Sequence, residues 1–185
     1  MRPLPTRKAL NRRLAAASRA MARALGLAAV AVPAGAAAYC FAAPGWAARH
    51  PWLTGLDGVP PVLDPVGSAC LLAGMAVALA PLVWGVLQLR LLFRGYGSGQ
   101  VLTAEAASRF DRFARSLLAA AVAGPLGSLV ASAALSAAGR LGTPGLSLAF
   151  GSDEAWLALL GGVLLLIARV MLDAALLAAD DAQIL

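Results

Sequence analysis

The stretch LLFRGYGSGQVLTAEAASRFDRFARSLL, residues 91–118, decides how this chain is read. It joins a glycine-rich turn to a run in which Glu105, Arg109, Asp111, Arg112 and Arg115 crowd together, in a chain that is otherwise apolar. A phosphate loop needs a Lys-Ser/Thr pair after its glycines, or a strand–turn–helix setting, and neither is present. Gly95, Gly97 and Gly99 instead end a long helix and let the chain reverse, because glycine tolerates positive φ. Thr103 is placed as an N-cap whose hydroxyl accepts a free backbone N–H of the next turn. Glu105 then falls at the second helical position, so no capping box forms, but its charge suits the helix dipole. Glu105 and Arg109 are spaced i,i+4, as are Asp111 and Arg115, with the acid first in each, a pairing that contributes about 0.2–0.5 kcal/mol in isolated helices. Phe110 and Phe113 share a face with Ala106, Ala107 and Leu117. The stretch 103–115 therefore predicts a cytoplasmic amphipathic helix between the second and third of four spans, running into the third.

The spans follow from composition. Of 185 residues, 61% are hydrophobic and only 13% are charged, where a soluble domain has about 25%. Mean hydropathy is +0.79. Lipid is the simplest solvent for such a chain, and a spanning helix needs about 20 mostly apolar residues. Four stretches qualify: residues 24–43, 66–89, 116–138 and 155–177. The first three hold no Asp, Glu, Lys or Arg. A helix satisfies its own backbone, which lipid cannot do. Pro33, Pro81 and Pro125 lie inside three of the spans, where a membrane helix tolerates them as kinks. The expected fold is all-α, a four-helix transmembrane bundle over residues 24–179. A basic arm, residues 1–23, precedes it and a short acidic tail, residues 180–185, follows. The net charge of +6 does not read as nucleic-acid binding, because the basic residues flank apolar segments rather than interleave with aromatics.

Orientation follows from basic residues in the flanks. The N-terminal arm holds Arg2, Arg7, Lys8, Arg12, Arg13, Arg19 and Arg23 and no acid; the middle loop holds Arg90, Arg94, Arg109, Arg112 and Arg115. The other two loops hold only Arg49 and Arg140, beside Asp57, Asp64, Asp153 and Glu154. The alternation predicts an even number of spans with both termini cytoplasmic. Trp46, Trp52 and Trp156 then fall in the outer interfacial belt. The basic start and first apolar stretch are similar to a secretory signal, but both are long for one. They read as an uncleaved first span, with residues 1–23 lying on anionic lipid.

Cys40 and Cys70 fall near the outer ends of neighbouring spans, either as a disulfide or, the simpler reading, as two core-filling thiols. With a lone histidine, His50, and no CxxC, no zinc, haem or other cofactor site is expected. In the third span Ala120, Gly124, Ser128, Ser132 and Ser136 recur every four residues. Small residues so spaced let another helix approach closely, from the same chain or from a second copy in a homo-oligomer. In the fourth span Arg169 and Asp173 are the only charges and share a face. Arg169 lies about 21 Å from residue 155 at 1.5 Å per residue, near the inner boundary where arginine reaches water. The expectation is a structural ion pair rather than a relay, with Gln88 of the second span as its polar neighbour.

These residues resemble the bacterial membrane proteins grouped as DUF2975. Val101, Leu102, Thr103 and Glu105 match that family's "vFT-x-E-N-a" segment; Leu177, Asp180, Asp181, Ile184 and Leu185 match its acidic tail. Leu102 replaces the usual phenylalanine, Ala106 the asparagine, and Asp180 and Asp181 the glutamates. The resemblance covers about residues 66–185. It implies a four-span protein of the bacterial inner membrane, without an established activity. It further implies a partner: a small helix-turn-helix DNA-binding regulator. Thr103, Glu105, Arg109 and Arg112 of the loop, with Asp180 and Asp181 of the tail, are the surface such a regulator would meet. The plainer reading of the loop is a solvated turn whose arginines face lipid phosphate.

Two functions are thus expected, a non-enzymatic module that senses the envelope or docks a regulator, and a small transporter, channel or immunity-type protein using Gln88, Arg169 and Asp173. An enzyme would need a nucleophile with a base or a metal cluster in the membrane, and no such set is present in the sequence.

Overall fold

The structure is a computed structural model. It describes residues 7–43, 45–50, 59, 62–97, 103–141 and 145–181, with side chains for the same residues except 7–14, 48, 97 and 176–181. Among them the chain is all helical: α1 (Arg7–Ala42), α2 (Trp46–Arg49), α3 (Pro65–Gly97), α4 (Ala104–Ala137) and α5 (Ser152–Asp181). The four long helices are each long and apolar enough to cross a membrane. The surface is what lipid requires, with Leu27, Leu166, Val170 and Trp156 among large apolar side chains more than 60% exposed. The chain is a multi-pass integral membrane protein. α1, α3 and α4 pass unbroken through Pro33, Pro81 and Pro125 respectively.

The long helices pack in chain order, α1 on α3, α3 on α4 and α4 on α5. The third span is the inside helix, with 44% of its most apolar window buried against 11% to 17% for the others. Its small residues explain this. A Cβ built on Gly127 would lie 2.6 Å from the Gly74 carbonyl oxygen, so α3 and α4 touch backbone to backbone there. Three turns lower, Gly85 makes room for the Ser116 side chain. On the other side of α4, a Cβ at Gly161 of α5 would lie 3.0 Å from the Leu118 side chain. Without a hydrophobic drive between helices in lipid, such close approach is what holds them.

The best-packed apolar cluster sits at one end. Cys40, Trp46, Ala47, Leu63, Leu71, Ala131 and Leu135 are all buried there, with Cys70 and Met75 against them. Both cysteines are free thiols, and Cys40 Sγ lies 3.5 Å from Met75 Sδ. Trp46 departs from its expected place in the lipid belt. It is only 5% exposed, its ring 5.8 Å from that of Tyr39, because the short α2 folds it back under the end of α1. Trp156 is 68% exposed, as an interfacial residue should be. Trp52 lies outside the described residues.

Candidate functional site

Opposite that cluster lies the elbow between α3 and α4. Residues 103–115 are not a separate element but the first turns of α4, which continues without a break to Ala137. Thr103 caps it, its Oγ1 accepting the Ala106 N–H at 3.2 Å. Arg109 donates to Glu105 at 2.6 Å and to the Leu91 carbonyl of α3 at 2.7 Å. It thus fastens α4 to α3 across the turn. Arg115 pairs with Asp111 at 2.8 Å. Phe110 and Phe113 lie together, rings 6.3 Å apart. Thr103 and Arg109 therefore hold the elbow, while Arg112 is exposed and without a partner among the described residues, as is Arg94 at the end of α3. The crevice among Leu92, Gly95, Thr103, Glu105, Ala106 and Arg109 has room for about 10 Å³, enough for one water rather than an organic ligand. The side chains of Asp180 and Asp181 lie outside the described ones.

Gln88, Arg169 and Asp173 do not come together. Gln88 is 6% exposed with its Oε1 unpartnered, on the face of α3 that carries Gly85 and Leu92. Arg169 and Asp173 are both exposed on α5, and no ion pair joins them. The expected pair is corrected accordingly, since two exposed side chains gain little from pairing. The helix register shows where Arg169 sits. Gly85 faces Ser116 and Gly161 faces Leu118, so antiparallel counting sets Arg90, Arg112 and Arg169 within about one helical turn of a common height. Arg23 lies one turn below Gly26, which touches Arg90. These arginines make a belt at the elbow end.

The serine stripe of α4 also departs from its expected use. It receives backbone rather than a helix. Residues 145–151 run alongside α4, and Ser136, Ser132 and Ser128 accept the N–H groups of Gly145, Ser147 and Ala149 at 3.3, 3.0 and 3.2 Å. Ser136 also donates to the Gly145 carbonyl at 3.0 Å. Four residues of helix rise about 6 Å and two of extended chain about 6.6 Å, so the two spacings match. Leu146, Leu148 and Phe150 then point outward, 56% to 73% exposed. α5 starts only afterwards, with Glu154 beside Gly124 and accepting the Gly151 N–H at 2.7 Å. Non-helical backbone at membrane depth survives only where protein satisfies it, and here the serines do so.

At the same end, Asp64 does two jobs. Its carboxylate caps α3 by accepting the Gly67 N–H at 2.8 Å, and it accepts two bonds from Arg140 at 3.0 and 2.6 Å. Those bonds hold its carboxyl below the ordinary 3.8 and hold Arg140 charged. A carboxyl depressed by folding contributes stability above its unfolded range, and that contribution fades as pH falls through the folded value. The clamp between the two loops is thus intact at neutral pH. The signal for the cap was legible: Asp before Pro65 at the first helical position, ahead of an apolar run. The partner, 76 residues away, was not.

No family model matches this chain, and no curated protein or solved structure matches it either.

Proposed function

We propose that this protein is a non-enzymatic membrane module, related to DUF2975, whose elbow between α3 and α4 docks a small cytoplasmic regulator. The observation that supports this reading most is the division of labour at the elbow. Thr103 caps α4 and Arg109 ties it to α3, while Arg94 and Arg112 on the same two helices are exposed and without a partner among the described residues. A basic face on a fixed support selects an acidic patch on its partner and speeds encounter. The reading includes cytoplasmic placement of the elbow and both termini, following the positive-inside rule, in a bacterial inner membrane. The transporter reading needs a polar path, and Gln88, Arg169 and Asp173 do not form one.

The test is affinity capture of cytoplasmic partners by the full-length protein in detergent. Arg94→Ala with Arg112→Ala is expected to lower capture of a bound regulator at least about fivefold, the loss of roughly 1 kcal/mol, with helicity unchanged. Ser108→Ala, beside the same turn, leaves capture intact. Equal capture by the arginine variant and the parent contradicts the reading.

A further inference from the structure

A groove of about 410 Å³ runs between α1 and α3, lined by Pro33 and Ala36 on one side and by residues from Leu72 to Leu87, Trp84 among them, on the other. Its lining is apolar throughout, and its volume falls within the range of ligand sites, about 300–1,000 Å³. At its elbow end the character changes at once. Arg90 follows Leu87 by one turn, and Gly26 precedes Pro33 by two turns on the same face of α1. A Cβ at Gly26 would lie 2.8 Å from the Arg90 guanidinium carbon, so the missing side chain is what lets the cation lie flat on α1. The Arg90 Nε is buried without a partner, and no carboxylate pairs with this side chain. Leaving a buried charged donor unmatched is costly, so the site calls for an anion. Among the described residues no counter-charge reaches it: Glu105 and Asp111 are engaged by Arg109 and Arg115, and Asp173 lies lower by about a turn and a half.

We propose that this groove binds one anionic phospholipid, its phosphate on the Arg90 guanidinium and one acyl chain along Leu87, Trp84, Val83 and Ala80 toward Met75. The geometry suits it. Arg90 stands at the height of the arginine belt, where headgroups lie if the belt marks the membrane boundary. Leu87 to Leu72 spans about 22 Å of helix, longer than the half-thickness of about 15 Å that one chain must cross.

Trp84 reports the occupant. The full-length protein is reconstituted in phosphatidylcholine vesicles with a small fraction of lipid brominated at mid-chain, carrying either a phosphatidylglycerol or a phosphatidylcholine headgroup. Fluorescence lost in the parent but not in Trp84→Phe is the share of Trp84, which is about 9 Å along the helix from Arg90. The brominated anionic lipid is expected to act at about fivefold lower fraction than the neutral one, the value of about 1 kcal/mol for one basic contact. Arg90→Gln removes that preference and Arg90→Lys retains part of it, while Arg112→Gln, on α4, leaves it unchanged. Equal quenching by both headgroups in the parent overturns the proposal, as does equal loss in Arg112→Gln, which marks a diffuse lipid shell. Quenching by neither lipid also overturns it, and marks a groove covered by another helix.

Discussion

Gly127→Leu is expected to separate α3 from α4 and to abolish recovery of folded protein in mild detergent. Gly127 and Gly74 meet through their backbones, and a Cβ on either would intrude on the other helix's carbonyl. A side chain cannot yield there by choosing another rotamer, because the obstacle is backbone. Overpacking a core costs about 1–3 kcal/mol when neighbours can shift, and the top of that range or more applies where a helix pair must move apart. The loss propagates, because α4 is the helix that both α3 and α5 pack on. An adjacent pair on α5 supplies the control. A Cβ at Gly161 presses on Leu118, while one at Gly162 meets nothing within 4 Å. Gly161→Leu should therefore lower the thermal midpoint of the detergent-solubilised protein, and Gly162→Leu should leave it unchanged. Similar midpoints for Gly127→Leu and the parent would show that α3 and α4 do not meet at this register.

The second large effect concerns the serines of α4. Replacing Ser128, Ser132 and Ser136 together by alanine should free residues 145–151 from the helix while the helices stay assembled. Each alanine leaves a backbone N–H without its acceptor, and an unmatched group costs about 1–3 kcal/mol where water cannot reach it. Alanine adds no bulk, so the change isolates the hydrogen bonds. With Ala149→Cys as the reporter, maleimide addition at residue 149 is read by mass spectrometry. Ser132→Ala alone should raise the labelling rate about tenfold, the equivalent of about 1.4 kcal/mol, and the triple variant more. Ser108→Ala, whose hydroxyl bonds only the Glu105 carbonyl one turn back, serves as the control. Unchanged labelling in the triple variant would mean that the serines do not hold the segment.

These two regions show what the sequence could and could not disclose. The spans were legible because lipid leaves little freedom, so a run of apolar residues without charges has one stable form. The elbow was legible because its contacts are local: a cap three residues from the N–H that donates to it and ion pairs at i,i+4. The period-four row of small residues on α4 was also visible, but not what it receives. A row that admits a helix equally admits extended chain whose alternate residues rise by nearly the same distance. Only the late start of α5 decides between them. Arg169 and Asp173 illustrate the opposite case. Their spacing allowed a pair, but both sides of it are exposed, and exposure removes the reason to form one. Arg90 over Gly26 and Asp64 with Arg140 join residues far apart in the chain, and no periodicity points from one to the other. Trp46 fits the interfacial belt by position alone; the turn through α2 buries it instead.

The account rests on four crossings of a bilayer with the arginine belt at the inner face. The most direct test is labelling by a membrane-impermeant maleimide in intact cells, with Cys40 and Cys70 replaced by alanine and single reporter cysteines at Ser108 in the elbow and at Gly145 beyond the end of α4. The account predicts that Gly145→Cys reacts in intact cells and Ser108→Cys reacts only after the membrane is opened. Labelling of Ser108→Cys in intact cells, with Gly145→Cys protected, would contradict it.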